Sequence, residues 1–143
     1  MEIRLMQMED YNQVYALWAS DGNVGLRNLD DSPEGIRRFL DRNPETNFVA
    51  EIDNKIVGAI LCGQDARRAY IYHAFVQDDY RNQGIGKSLV EKVLEKLDSI
   101  GITKVALTVY CTNELGNRFW DSMGFIKRPD LFYRNRTLNP DNE

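Results

Sequence analysis

The sequence predicts one α/β (α+β) domain, and three observations carry that prediction. Apolar residues recur at helical spacing near the front of the chain and alternate at strand spacing in the middle. A strand, a glycine-rich turn and the longest helical stripe then follow one another. No repeat or linker interrupts that order, so residues 1–138 read as a single domain. Asn139 to Glu143 is a polar tail expected to lack structure of its own.

Met1 to Leu5 alternates weakly and is a candidate first strand. Tyr11, Val14, Tyr15 and Trp18 fall on one helical face, and Ser20 to Asp31 has no period and reads as a loop. Ser32-Pro33 starts a second helix, with the hydroxyl as N-cap and proline in the first turn. Ile36, Phe39 and Leu40 form its stripe, and Asn43-Pro44 ends it. Phe48 to Ile52 and Ile56 to Cys62 flank Asp53-Asn54-Lys55 as a hairpin, and Asp65 to Arg68 turns into the strand Ala69 to Val76. The longest helix is expected from about Gly84 to Ile100, buried through Ile85, Leu89, Val90, Val93, Leu94 and Leu97 and capped by Gly101. Val105, Leu107 and Val109 alternate as a strand, Asn113 opens a short helix that stops at Gly124, and Phe125 to Leu138 is expected to supply closing strands.

Composition narrows the function. Of 143 residues, 43% are hydrophobic and 28% charged, an ordinary globular balance. Eighteen basic and 22 acidic residues leave a net charge of -4, without the basic footprint that nucleic acid selects. Cys62 and Cys111 are too few for a disulfide framework and lack metal-ligand spacing, so no metal is expected and the thiols read as reduced, in a cytoplasmic protein. The Met1 end lacks a signal-peptide pattern, and the apolar run Ile56 to Cys62 is too short to span a bilayer, so no membrane partner is expected.

The chemistry concentrates where Val76 ends a strand and Ile85 begins a helix. A glycine-rich turn into a helix N-terminus gathers unpaired backbone N–H groups and the positive helix end around one point, which suits a phosphate. Gly84 and Gly86 let a ligand approach the backbone, and Arg81 can add a charged fork. Gly86-Lys87-Ser88 matches the end of a nucleotide P-loop, but Arg81 stands where that loop needs its first glycine. A dinucleotide fingerprint fails because its third glycine falls at Leu89. The pattern Arg-x-x-Gly-x-Gly is met in full at Arg81, Gly84 and Gly86.

Val76 to Gly86, with that pattern at its end, resembles the acetyl-CoA motif of the GNAT superfamily of N-acetyltransferases. Asn113 to Phe125 resembles the same superfamily's segment of asparagine, helix and Gly-Phe, and the order of elements is similar over nearly the whole chain. The resemblance implies a mixed, mostly antiparallel central sheet, splayed between its fourth and fifth strands, with helices on both faces. It implies acyl transfer from acetyl-CoA, as cosubstrate, to a primary amine by direct transfer in a ternary complex. Amides of Arg81, Asn82, Gln83, Gly84, Ile85, Gly86 and Lys87 would hold the pyrophosphate. Pantetheine would pair like an added strand with the backbone at Ala74, Phe75 and Val76. Asn113 matches the cofactor-bonding asparagine of relatives and is equally placed to cap a helix.

The acid and base of relatives are not found. Where many relatives carry a proton-donating tyrosine this chain has Trp120, whose indole cannot usefully release its proton. Trp120 is therefore expected to pack, or to wall the thioester. Thr108 stands where some relatives have glutamate, and Tyr70 and Tyr72 near where others place a base. The two phenols share a face by strand alternation, which turns His73, the only histidine, away from them unless a bulge intervenes. Tyr72, Tyr70, Tyr110 and His73 are the catalytic candidates, and Cys111 lacks a basic partner to activate it. Transfer is expected to depend on positioning, with acid and base unassigned.

The loop Ser20 to Asp31 and the stretch Phe132 to Arg136 lie where relatives recognise the acceptor, a small-molecule or peptide amine. Asp21, Asp30 and Asp31 suit a cationic amine; Arg27 and Arg134 suit a carboxylate; solvated surface charge is the plain reading of all five. An acyl-CoA-binding or sensing module without efficient turnover is the alternative function, and a nucleotide-binding switch a weaker one. A homodimer is common in similar proteins.

Overall fold

The structure, a computed structural model, describes residues 1–143. Five strands form one sheet: β1 (Glu2–Leu5), β2 (Phe48–Ile52), β3 (Lys55–Gln64), β4 (Ala69–Val76) and β5 (Val105–Leu107). They lie in chain order, antiparallel except for the parallel β4–β5 pair. The helices are α1 (Tyr11–Ala19), α2 (Pro33–Arg42), α3 (Ile85–Ser99) and α4 (Glu114–Ser122).

Local chemistry sets most boundaries. The Ser32 hydroxyl accepts from the Gly35 N–H at 3.0 Å, starting α2 with Pro33 in its first turn. Asp53 and Asn54, at φ 50° and 64°, make a two-residue hairpin turn; Lys55 is already in β3, paired with Ile52. Between β1 and β2, Arg4 bridges Asp10 at 2.8 Å and Glu51 at 3.0 Å, tying the first strand to the turn that precedes α1. Past the last β2–β3 pair, the Asn47 amide oxygen accepts from the Cys62 N–H at 2.8 Å and the Thr46 hydroxyl donates to the Cys62 carbonyl. These buried side chains continue the ladder where the strand itself has ended.

Helices cover both faces. Val14, Leu17 and Trp18 of α1 and Ile36 and Leu40 of α2 pack on Val49, Ala59, Leu61 and Phe75. Ile85, Leu89, Val90, Val93 and Leu97 of α3 pack on Phe48, Ala50, Val57, Ile60, Cys62 and Ile71, with Phe119 and Trp120 of α4 at the edge of that core. Ile71 and Phe75 belong to opposite cores although they sit an even number of positions apart on β4. The cause is a bulge: Ile60 pairs with Ala74 and Cys62 with Ile71, so Leu61 faces both Tyr72 and His73.

Two expectations fail at the far edge. The strand expected through Val109 is only three residues long, Val105–Leu107. The closing strands expected within Phe125 to Leu138 do not form; beyond the Phe125 N–H, which donates to the Trp120 carbonyl, that stretch donates no backbone hydrogen bond. A three-residue edge offers few ladder partners, and Lys127, Arg128, Pro129 and Asp130 are poor strand formers, with Arg128 and Asp130 paired to each other at 2.7 Å. Phe132 stays 89% exposed and Ile126 86%.

Candidate active site

The parallel pairing joins Ala69, Tyr70 and Ile71 of β4 to Val105, Ala106 and Leu107 of β5 and stops there. The rest of β4, from the Tyr72–His73 bulge through Ala74, Phe75 and Val76, has lost its neighbour on that side. The sheet therefore splays at the bulge, as expected between its fourth and fifth strands.

At the end of the splayed segment the chain makes a 3-10 turn, Asp78–Tyr80, and enters α3 through Asn82 at φ 62° and Gly84 at φ 80°. Two left-handed residues flanking Gln83 curl the backbone so that successive N–H groups converge. None of the N–H groups of Asn82, Gln83, Gly84, Ile85, Gly86 and Lys87 donates to a protein acceptor; the first to do so is Ser88, to the Gly84 carbonyl at 3.0 Å. No side chain caps α3 either. A concave run of donors at a helix N-terminus is the chemistry that holds a pyrophosphate, so the residues present fit the anionic end of a CoA thioester. Gly84 leaves open space where a Cβ would stand, whereas a Cβ on Gly86 would meet the Phe119 ring at 3.3 Å. Gly86 thus serves the packing of α3 against α4.

Other cofactor candidates are placed differently from the simplest expectation. The Arg81 guanidinium does not stand free as a fork: Nε donates to the Val76 carbonyl at 2.9 Å, and the remaining nitrogens reach Asp78 at 2.8 Å and Asp21 at 3.3 Å. It also lies 5.2 Å from the Phe75 ring centroid, so its work is to fix the turn against β4 and the front loop. The Asn113 side chain accepts from the Gly116 N–H at 2.9 Å and caps α4. Trp120 packs edge to face on Phe119 and Phe125, with centroids 4.9 and 5.0 Å away. Packing is what its geometry shows.

On the α1–α2 face the bulge gathers the catalytic candidates. Tyr70 and Tyr72 lie 4.8 Å apart by ring centroids, and the Tyr70 hydroxyl donates to Thr108 at 2.9 Å. The Tyr72 hydroxyl has no protein partner, and partial burial together with the adjacent Tyr70 raises its pKa, so it is a proton donor rather than a base at neutral pH. The Tyr110 hydroxyl points at the front loop, 3.1 Å from where a Cβ on Gly25 would stand. His73 is turned by the bulge onto the same face as the two phenols, against simple alternation. Its Nε2 meets Asp31 Oδ1 at 2.8 Å, its Nδ1 meets the Tyr72 carbonyl at 3.1 Å, and its ring packs on Trp18. Both nitrogens are occupied, so the side chain acts as a pin. Cys62 is buried and its thiol is pushed up to about 12, whereas Cys111 is exposed.

Two features had no signal in the sequence. Asp31 is buried beneath α1 as the His73 partner, and the Tyr11 hydroxyl holds its carbonyl at 2.6 Å. The tail is pinned at its end: the Asn142 amide oxygen accepts from the Leu29 N–H at 2.9 Å, its nitrogen donates to Asp30 at 2.8 Å, and the Glu143 carbonyl accepts from the Asn28 N–H at 3.0 Å. A cavity of about 570 Å³ adjoins the bulge on the α2 side, lined by Phe39, Arg42, Arg68, Tyr70, Tyr72 and Lys104 among others.

The chain is similar to an acetyltransferase of Yersinia pestis, strain Pestoides F, with 34% identity over 138 residues and 96% of each chain covered. The crystal structure of Ard1 from Thermoplasma volcanium shares the fold at a TM-score of 0.79 and 22% identity, over 87% of this chain and 82% of that one. The NatC complex bound to Gag peptide and CoA contains a chain alike at a TM-score of 0.75 and 24% identity, over 90% of this chain and 87% of that one. The model of the acetyltransferase (GNAT) family matches residues 11–125, spanning the splayed strand, the donor turn and α4, and this chain belongs to that family of acyl-transferring enzymes.

Proposed function

We propose that the protein moves an acetyl group from acetyl-CoA to a primary amine by direct attack within a ternary complex. The observation that carries this reading is the unbroken run of unpaired N–H groups from Asn82 to Lys87, set at the end of a strand with an open side. Bound acetyl-CoA would supply an activated acyl carbon as a thioester. The Asn82–Lys87 amides would hold its pyrophosphate, and the backbone at Ala74, Phe75 and Val76 would take pantetheine as an added strand.

The acceptor would approach past Tyr70, Tyr72 and Tyr110, opposite the donor turn. As the new C–N bond forms and the C–S bond breaks, the departing thiolate needs a proton. Tyr72 is the candidate donor, since it is protonated at neutral pH and its hydroxyl is unpaired. No base is hydrogen-bonded to it, and the carboxylate of Asp30 is engaged by Asn142, so the amine would arrive neutral or lose its proton to water. That shortage also supports a second reading, an acyl-CoA-binding or sensing module without efficient turnover. A panel of primary amines with acetyl-CoA, read by release of CoA thiol, separates the two. Binding of CoA with no amine-dependent thiol release would sink the transferase reading and leave the sensor.

A further inference from the structure

The cavity on the α2 side carries a charge pattern opposite to that of the protein. The chain has a net charge of -4, yet Arg42, Arg68 and Lys104 all line this cavity, against one acid, Asp65. None of the three cations takes part in an ion pair. Arg68 spends one nitrogen on the Arg67 carbonyl and the Thr103 hydroxyl; Arg42 and Lys104 spend none on protein. Asp65 can offset only one of the three charges, and its carboxylate is held in the β3–β4 turn by the backbone N–H groups of Arg67 and Arg68. Outside the cavity Arg4, Arg81, Arg118 and Arg128 are bridged to carboxylates, so the cavity cations differ from those four in keeping their charge unpaired. Free cations grouped in a concave site favour an anionic ligand.

The cavity is continuous with the transfer site. Tyr70 and Tyr72 line it, and Tyr72 belongs to the bulge at which β4 leaves β5. Phe39 and Tyr72, edge to face at 5.5 Å, wall it between the two ends. Beyond Tyr72 the bulge is bordered by the acidic front loop: His73 meets Asp31 at 2.8 Å, and the exposed Asp30 precedes Asp31 in the chain. Arg68 and Tyr72 stand four positions apart on the approach to and along β4, roughly 13 Å of extended chain.

Resting on the transferase reading above, we propose that the acceptor is a bipolar molecule, a primary amine that carries a carboxylate or other anionic group at the far end of a short stem. Its anion sits among Arg42, Arg68 and Lys104, its apolar stem lies against Phe39 and Tyr72, and its amine reaches the bulge on the Asp30 side. In the reaction the amine nitrogen bonds to the acyl carbon, the thioester C–S bond breaks, and the amine proton leaves to water as the thiolate is protonated. The anionic group takes no part in that exchange and sets only which amine is held.

The test is a ladder of linear ω-aminocarboxylates, glycine the shortest, each beside its carboxamide and its phosphonate. Wild-type kcat/KM should favour the anionic members over the carboxamides by about tenfold or more, with a maximum at intermediate length. The double variant Arg42→Gln, Lys104→Gln should lose that preference while keeping the CoA-induced rise in Tm; Lys104→Arg should retain the preference. Both residues are exposed, and the unliganded melting temperature reports whether each variant folds. A phosphonate series that outruns the carboxylates assigns the cavity to phosphate-bearing amines, still within the proposal. Equal rates for carboxylate and carboxamide, or a preference that survives the double variant, would overturn it. Calorimetric binding of the N-acetylated aminocarboxylates with CoA present reads the same cavity without turnover. If nothing is acetylated but these compounds bind wild type and not the double variant, the transferase reading falls and the anion site stands.

Discussion

Gly84 and Gly101 make a matched pair at the two ends of α3. Their φ angles are 80° and 85°, and a Cβ added to either meets nothing within 4 Å. Alanine at each position should therefore cost the fold the same backbone strain, about 1–2 kcal/mol, with no steric term to separate them. For a chain this size that is a fall in Tm of about 3–8 °C in either variant. The ligand distinguishes them, because only Gly84 lies in the run of unpaired donors. At a hundred times its dissociation constant CoA adds about 2.7 kcal/mol, or roughly 5–10 °C in wild type and in Gly101→Ala. In Gly84→Ala the donors disperse and the new methyl group crowds the pyrophosphate, so affinity should fall about tenfold or more. Thermal melts with and without CoA, with dissociation constants by calorimetry, read both quantities. Equal CoA affinity in the two variants would show that the pyrophosphate is held elsewhere.

Three further outcomes follow from side chains already placed. Trp120→Phe should change turnover only modestly and leave the shape of the pH–rate profile alone, because the indole packs on Phe119 and Phe125; a loss of a hundredfold with CoA affinity intact would give it a part in proton delivery. Burial opposes ionisation of Asp10, but the Arg4 guanidinium and the Gln7 N–H outweigh it and hold the carboxyl below the usual 3.8. A depressed value stabilises the fold above the unfolded pKa and is lost as pH falls through the folded one. Asp10→Asn should accordingly be less stable than wild type at pH 7 by about 1–3 kcal/mol, with the gap closing below about pH 4 in urea titrations. A thiol reagent should label Cys111 in the native protein and Cys62 only after unfolding, as peptide mapping would report; equal labelling would contradict the burial of Cys62.

The parts of this molecule that were legible in its sequence are those decided over a few residues. Ser32 and Asn113 cap the helices that follow them through bonds three residues long, and Asp53-Asn54 turns its hairpin by its own backbone preference. The glycine turn was legible for the same reason. The β4 bulge was not, since the residues on either side alternate as in an unbroken strand and the extra residue shows only in the pairing with β3. That hidden residue reverses the face of His73, so its pairing with Asp31, 42 positions away, was out of reach as well. The expected closing strands failed because a strand within Phe125 to Leu138 would still need an edge to pair with, and β5 presents only three residues.

The same bulge explains why the acidic residues of the front loop cannot all serve an incoming amine. Asp21 reaches Arg81 at the end of the splayed segment, and Asp31 reaches His73 at its start. The two bonds clamp the loop Ser20 to Asp31 at both ends of the stretch of β4 that β5 leaves open. Hydrogen bonds to charged groups contribute about 1.5–3 kcal/mol each, so the pair goes some way toward offsetting the ordering of an otherwise aperiodic loop. Both carboxylates are thereby committed to structure, with Asp31 only 5% exposed. Asp30, exposed and bonded through its side chain only to Asn142 of the tail, is the one of the three that would remain to meet an amine. Charge that looked interchangeable along the sequence thus divides into two clamps and one contact. The clamps fix this loop in register with the strand that would hold the cofactor, so that a substrate seated against the loop would be positioned relative to the thioester by the protein and not by its own affinity for CoA.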